Sequence, residues 1–218
     1  MDKRLMEKLI QIKHQGIILE GMLKVPQSAQ GIVLFSHGSG SSRLSPRNNF
    51  VADILNDTGL ATLLIDLLSR QEDEIYQTRF DIDLLTDRLN IVIQWLKKQS
   101  NTQNLDLGIF GSSTGAAAAL RVASERGKEI KAVVSRGGRP DLAMDVIDGV
   151  TAPTLFIVGG NDFGVIELNQ EAYARLTCFK KFEIIPNATH LFEESGCLEE
   201  VARVAKEWFN EHLNRKNG

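Results

Sequence analysis

The stretch LDLGIFGSSTGAAAAL (105–120) decides the fold of this chain. Its first half is a short apolar run, which is typical of a buried β-strand. Its second half is rich in alanine, the residue with the highest helix propensity. Two serines stand between glycines at the junction, so a strand is predicted to turn sharply into a helix.

The turn Gly111-Ser112-Ser113-Thr114-Gly115 fits the pattern G-x-S-x-G, with Ser113 in the centre. This motif is a tight strand-to-helix turn that holds a serine in a strained conformation and exposes its hydroxyl at the carboxyl end of the strand. The glycines are needed because side chains there would collide with neighbouring backbone. For the motif alone, a plain glycine-rich turn of a nucleotide-binding fold remains the alternative interpretation.

Apolar strands alternate with longer helical segments along the rest of the chain, which indicates a mainly parallel α/β sheet. Residues Leu9–His14 and Ile17–Val25 are predicted to open it as an antiparallel pair. Further strands are predicted at 31–38, 61–68, 105–111, 153–160 and 181–187, a strand and loop at 130–138, a polar loop at 69–78, and helices at 46–58, 80–99, 114–126, 141–148, 165–177 and 197–213. About six parallel strands follow the pair, which gives a sheet of about eight strands with helices on both faces.

Composition narrows the class of protein. The 218 residues are 43% hydrophobic and 24% charged with a net charge of −3, so we expect one globular domain over 1–218 and no nucleic-acid or membrane partner. The two cysteines, Cys178 and Cys197, do not form a disulfide pattern. The first residues lack the features of a signal peptide, and no apolar run reaches the roughly 20 residues of a membrane span, so a cytoplasmic location is expected.

A serine hydroxyl needs a base, and hydrolases with this turn supply it in the order Ser, Asp or Glu, His. Asp162 follows the strand predicted at 153–160, and His190 follows the strand predicted at 181–187, so both lie at the same edge of the sheet as Ser113. His212 is the other histidine after Ser113, but it falls in the closing helix, where we expect it to be exposed.

Each partner has a plain structural alternative. Asp162 could cap the following helix, and His190 could be a hydrogen-bonded loop histidine. The order in the chain and the shared strand-end position favour a catalytic triad over three unrelated structural roles.

An oxyanion hole needs two backbone N–H groups. Thr114, directly after the serine, is predicted to supply one. The short-side-chain loop at 36–42 is predicted to supply the other, with Ser39 as first choice and Gly40 as second. His37 in this loop is expected to brace it by hydrogen bonds.

Four arginines are predicted in loops near the same edge: Arg43, Arg47, Arg136 and Arg139. Guanidinium groups suit carboxylates and phosphates, so an anionic substrate is one interpretation. Pairing with Asp66, Asp141 or Asp145 is the preferred one. The residues predicted to contact substrate are Gly38, Gly40, Arg43 and Arg136.

The motifs HGSG (37–40), GSSTG (111–115), GGND (159–162) and NATHLFEE (187–194), in this order, resemble the α/β-hydrolase superfamily and within it the dienelactone hydrolase-like group. The segments SHGSGSSRLSPRN (36–48), FGSSTGAAAAL (110–120) and VVSRGGRPDLA (133–143) are similar to small domains of that group, some of which occur fused to a phosphoribosyltransferase. The resemblance spans roughly residues 17–213 and implies an α/β-hydrolase fold with the Ser113–His190–Asp162 triad.

The chain departs from true dienelactone hydrolases, which carry a cysteine where this chain has Ser113. The resemblance therefore implies a general serine carboxylesterase, acting on small esters or lactones through an acyl-enzyme, with no metal or organic cofactor. Only residues 137–153 separate the sixth and seventh predicted strands, too few for a cap domain, so we expect an open site. A non-catalytic binding domain, or an acyltransferase or perhydrolase using the same site, is the alternative, and monomer and homodimer both remain open.

Overall fold

A computed structural model of the chain describes residues 5–213, whose strands form one eight-stranded sheet in the order β1-β2-β4-β3-β5-β6-β7-β8. The strands are β1 (Leu5–His14), β2 (Ile17–Pro26), β3 (Gly31–Ser36), β4 (Ala61–Ile65), β5 (Asp106–Ser112), β6 (Ile130–Arg136), β7 (Thr154–Gly159) and β8 (Lys180–Ile185). β2 pairs antiparallel with β1 and with β4, whereas β4, β3 and β5 to β8 run parallel. The predicted antiparallel pair followed by six parallel strands is confirmed.

Helices cover both faces of the sheet, as predicted. They are α1 (Pro46–Asp57), α2 (Arg70–Asp73), α3 (Ile82–Leu96), α4 (Thr114–Arg126), α5 (Phe163–Arg175) and α6 (Cys197–Leu213). Buried side chains of α1 and α6 belong to one apolar cluster, and those of α3, α4 and α5 belong to another. The chain is thus a three-layer α/β structure.

β5 lies in the middle of the sheet and has its side chains buried on both faces. Ile109 packs in the cluster that contains α4, and the next residue, Phe110, packs in the cluster that contains α6, because successive side chains of a strand point to opposite faces. The alanines of α4 are fully buried, so this helix lies close against the sheet. The carboxyl end of β5 is therefore rigidly placed.

Two predicted segments differ from the structure. Residues 69–78, predicted as a polar loop, contain α2, whose amino end is capped by a capping box of Ser69 and Glu72, and the start of a 3₁₀ turn at Tyr76–Phe80. The helix predicted at 141–148 is wrong, because two short 3₁₀ turns, Pro140–Ala143 and Ile147–Gly149, occupy this region. A segment this short gains too few hydrogen bonds to offset the cost of helix nucleation.

The expected exposure of His212 is also wrong. Its side chain is 7% exposed and packs edge-on against Trp208 of the same helix, with ring centroids 4.5 Å apart. The residue lies beside Asp106 and Ile130, at the amino ends of β5 and β6, on the sheet edge opposite Ser113. It is buried because the apolar face of α6 extends to its last turn.

No cap domain lies between β6 and β7, as predicted, since the connection at 137–153 holds only the two 3₁₀ turns. In the part of the chain that the structure describes, no helix is long and apolar enough to span a membrane.

Candidate active site

Ser113 lies on the turn between β5 and α4 in a backbone conformation that non-glycine residues rarely adopt, with φ +50° and ψ −121°. The flanking glycines make the turn possible. A Cβ at Gly111 would lie 2.4 Å from Ala116 Cα, and one at Gly115 would lie 2.2 Å from the carbonyl oxygen of Ser36. Strain of about 1–3 kcal/mol at a non-glycine residue is typical of functional sites. This conformation favours the interpretation as a nucleophile turn over a plain glycine-rich turn.

Asp162 and His190 are brought together at the carboxyl ends of β7 and β8. His190 Nδ1 lies 2.7 Å from Asp162 Oδ2. Asp162 precedes the first residue of α5, yet its side chain makes no capping hydrogen bond, so the helix-cap alternative does not describe it. When the carboxylate holds the proton on Nδ1, the other ring nitrogen of His190 is left free to act as a base.

The loop after β6 connects the serine with the histidine. The carbonyl oxygen of Ser113 accepts a hydrogen bond of 3.1 Å from the N–H of Arg139. A Cβ at Gly137, whose φ is +52°, would lie 3.4 Å from the imidazole ring of His190. Among residues 5–213 no hydrogen bond joins the Ser113 hydroxyl directly to His190. The loop after β6 contacts both residues and so lies between them.

The loop after β3 lies against the turn that carries Ser113. A Cβ at Gly38 would be 3.0 Å from Ser113 Cβ. The N–H of Ser39 donates to the Thr114 hydroxyl at 3.0 Å, so in this conformation the first-choice oxyanion donor already has an acceptor. The N–H of Thr114 is at the first position of α4, where a helix offers no internal acceptor. Gly40, the second choice, is exposed and has φ +69°.

His37 supports this loop rather than facing the serine. The N–H of Leu67 donates to its Nε2 at 3.2 Å, so its Nδ1 carries the proton and donates to the Gly38 carbonyl oxygen at 3.0 Å. The side chain is buried. Both ring nitrogens are thus used in bracing, as predicted from the sequence.

Ion pairs hold three of the four arginines. Arg43 binds Asp66 through its backbone N–H, at 2.6 Å, and through its guanidinium group, which also lies 2.9 Å from Glu20. The two remaining pairs are Arg139 with Asp141, at 2.8 Å, and Arg47 with Glu193, at 2.7 Å. Asp145 pairs instead with Arg121.

Arg136, the last residue of β6, is buried. Its guanidinium donates to Ser112 Oγ at 3.1 Å and to Asn48 Oδ1 at 3.4 Å, and lies 5.5 Å from the centroid of the Phe192 ring. Burial, with a smaller effect of nearby Arg47, lowers its pKa to about 10. Only 7% of the residue is exposed, which argues against the predicted contact with substrate.

A cavity of about 620 Å³ lies beside the loop after β3. Its walls come from β2, from the loops after β3 and β4 and from α2, and they include His37, Ser41, Arg43, Asp66 and Ser69. Arg43 therefore faces space that a ligand could fill, although its charge is already paired. No group of three metal-ligating side chains is assembled in the described residues.

Three residues that support the site were not predicted from the sequence: Asn48, Phe192 and Glu194. Asn48 is one of two buried asparagines of α1, with Asn56, among the apolar residues Val51, Ala52 and Leu55, and a polar residue at a buried helix position was the available signal. Glu194 Oε1 accepts from the N–H and hydroxyl of Thr189, next to His190, and the hydroxyl bond lowers the pKa of its carboxyl.

Comparisons with known proteins agree with this fold. The sequence model described as the dienelactone hydrolase family matches residues 19–214. The crystal structure of a dienelactone hydrolase from Anabaena variabilis is 51% identical, with a TM-score of 0.92, and the match covers 96% of this chain and 99% of that one. Est1E from Butyrivibrio proteoclasticus shares the fold, with 19% identity and a TM-score of 0.82 over 95% of this chain and 99% of its own.

Two curated proteins of Mycobacterium tuberculosis, strains CDC 1551 and H37Rv, are 50% identical over 212 residues, or 97% of this chain. Both carry the name "Putative phosphoribosyl transferase". The match covers 48% of each, so this chain spans about half the length of these relatives. Their name agrees with the predicted resemblance to domains that occur fused to a phosphoribosyltransferase.

Proposed function

The chain belongs to the dienelactone hydrolase family, and on that premise we propose that it is a serine hydrolase of small carboxylic esters or lactones. The family and the similar structures support a hydrolase of the ester or lactone type. One observation carries the finer proposal: Ser113 is held in a strained turn, and the imidazole ring of His190 is oriented by Asp162, with 2.7 Å between Nδ1 and Oδ2. This division of roles is the one that serine nucleophiles require.

In the first half of the proposed reaction, His190 Nε2 takes the proton of the Ser113 hydroxyl as the oxygen attacks the ester carbonyl. Asp162 stabilises the imidazolium that forms. The N–H of Thr114 and an N–H of the 38–40 loop donate to the developing oxyanion. His190 then protonates the departing alcohol, which leaves an acyl group on Ser113.

In the second half, water replaces the alcohol. His190 removes a proton from the water as it attacks the acyl carbonyl, and the acid leaves when the proton returns to Ser113. The two halves use the same groups in reverse order. A hydrogen bond between serine and histidine often tightens only when substrate is bound, so its absence in the described residues is compatible with this scheme.

The surroundings of the site favour a small, uncharged substrate. None of the four arginines predicted at the rim offers a free guanidinium, because three are paired and Arg136 is buried. The site has no cap domain. No residue of the proposed triad lines the cavity of about 620 Å³ beside the loop after β3, so this cavity could accept only an arm of an ester that extends away from Ser113. A long-chain lipid would need a larger apolar cleft.

A non-catalytic binding domain is the second candidate. The observation that favours it is the name and length of the Mycobacterium tuberculosis relatives, of which this chain matches about half. In such a protein the hydrolase half could serve a neighbouring transferase. The strain retained at Ser113 argues against this role, because binding alone does not require it.

Labelling with a fluorophosphonate tests the proposal. The wild type and Ser113→Ala are treated and weighed intact, and both are checked for folding by circular dichroism. We expect one adduct on the wild type and none on the variant, followed by hydrolysis of a panel of p-nitrophenyl esters and lactones. A folded wild type that takes no label would refute the serine hydrolase and favour the binding domain. Alcohol-dependent partitioning of the acyl group would indicate an acyltransferase.

A further inference from the structure

A buried positive charge lies beside the turn that carries the candidate nucleophile. Arg136 is 7% exposed, and within residues 5–213 no carboxylate forms an ion pair with it. Such an arginine is costly to bury, because its charge loses hydration without gaining an opposite charge. This inference rests on the proposed function: we propose that Arg136 is a positioning residue that fixes the loop at 186–196, called the histidine loop, against the turn at 111–115, called the nucleophile turn.

On one side, Arg136 holds the nucleophile turn. Its carbonyl oxygen accepts the N–H of Ser113 at 3.3 Å, and its guanidinium donates to Ser112 Oγ at 3.1 Å. The same group reaches Asn48 Oδ1 at 3.4 Å, which ties the turn to α1. Main chain and side chain of one residue thus constrain two consecutive residues of the turn.

On the other side, Arg136 holds the histidine loop. Its guanidinium carbon lies 5.5 Å from the centroid of the Phe192 ring, two residues after His190. Phe192 is 1% exposed and has φ +57°, a strained conformation that the surrounding contacts must maintain. An arginine over an aromatic face is attracted to it, and more strongly where water is excluded.

Glu193, the next residue of the loop, is also bound by an arginine. Glu193 pairs with Arg47 at 2.7 Å, and Arg47 is close enough to Arg136 to lower its pKa. Two adjacent arginines therefore bind two adjacent residues of the histidine loop, one through a ring and one through a carboxylate. The Arg136 contact is the buried one and the one that also reaches the nucleophile turn.

This arrangement predicts an effect on catalysis that is separate from substrate binding. If the contact is lost, the histidine loop is free to shift relative to Ser113, and proton transfer between them slows. Arg136 does not line the cavity beside the loop after β3 and is itself buried, so we expect ground-state binding of substrate to be largely retained. The expected signature is a fall in kcat with little change in KM.

The test compares Arg136→Met, which keeps an unbranched stem without the charge, with Arg136→Lys, which keeps the charge without the planar group. Arg126→Met is the matched control, because Arg126 is also largely buried, but at the far end of α4 where it binds Asn90 and Glu129. Ester hydrolysis gives kcat and KM, fluorophosphonate labelling gives the rate of serine modification, and thermal unfolding shows the folded fraction.

We expect Arg136→Met to lose roughly 100-fold in kcat and in labelling rate, the loss that a misplacement of about 1 Å produces, with KM changed less than about threefold. Arg136→Lys should regain part of the loss, and Arg126→Met should retain wild-type kcat. A folded Arg136→Met with wild-type kcat would overturn the proposal, as would a rise in KM alone, which would instead indicate substrate contact.

If Arg136→Met does not fold, Phe192→Leu tests the same contact from the other side, and wild-type kcat in that variant would also overturn the proposal. Failure of the proposed function is distinguishable from these results. In that case the wild type itself takes no fluorophosphonate label and hydrolyses no ester.

Discussion

The bond between the Ser39 N–H and the Thr114 hydroxyl leads to the sharpest prediction. Thr114→Val removes the acceptor and puts a methyl group of similar size in its place. Thr114 is 1% exposed and the bond is 3.0 Å long, so the change leaves no cavity but leaves the Ser39 N–H without its partner. The loop after β3 then loses a direct hydrogen bond to the nucleophile turn.

The size of the effect follows from this geometry. A typical hydrogen bond contributes a net of about 1 kcal/mol to stability. The loss of one such bond lowers Tm by roughly 2–4 °C in a chain of this length. A single oxyanion donor contributes about 10²–10³ in kcat. Because the Ser39 N–H is displaced rather than removed, we expect about a 10–100-fold loss in kcat, or roughly 1.4–2.7 kcal/mol.

The assay measures kcat and KM with a p-nitrophenyl ester for the wild type, Thr114→Val and Thr114→Ser. The serine variant keeps the hydroxyl and should stay within about threefold of the wild type, because the acceptor remains. A Thr114→Val enzyme as fast as the wild type, or faster, would refute the reasoning. It would mean that the Thr114 hydroxyl, by accepting from the Ser39 N–H, competes with the oxyanion instead of positioning the donor.

Three further predictions concern the turn, the acid and the thiols. Gly115→Ala would put a methyl group 2.2 Å from a carbonyl oxygen of β3 and should cost about 3 kcal/mol or more in the free energy of unfolding by urea, whereas Gly164→Ala, with open space around it, should be nearly neutral. Asp162→Asn should lower kcat by about 10³–10⁴ with Tm little changed, because the amide no longer selects the reactive tautomer of the histidine; an equally active variant would remove Asp162 from the triad. Burial raises the pKa of the Cys178 and Cys197 thiols above its ordinary value, so little reactive thiolate forms near neutral pH; iodoacetamide should then label them slowly and leave ester hydrolysis intact, and rapid inactivation would contradict a serine nucleophile.

Much of the fold was predictable because its signals are local. The change from an apolar run to an alanine-rich run at residues 105–120 specifies a strand, a tight turn and a helix without reference to the rest of the chain. In a parallel sheet the carboxyl ends of all strands share one edge, so Asp162 and His190 could be assigned to the same edge as Ser113 from their strand-end positions. The weakly patterned segment at 141–148 was mispredicted because short segments carry little local signal.

The sequence by itself determined the succession of strands and helices along the chain, the strained turn at Ser113 and the candidate acid and base. Only the tertiary structure decided which groups are in contact: that Arg136 is buried between Ser112 and Phe192 rather than at the rim, and that Thr114 binds the N–H of Ser39. The physical reason is that local patterns fix the backbone of each element, whereas these contacts join residues far apart in the chain. Their distances depend on the order and stagger of the strands in the assembled sheet.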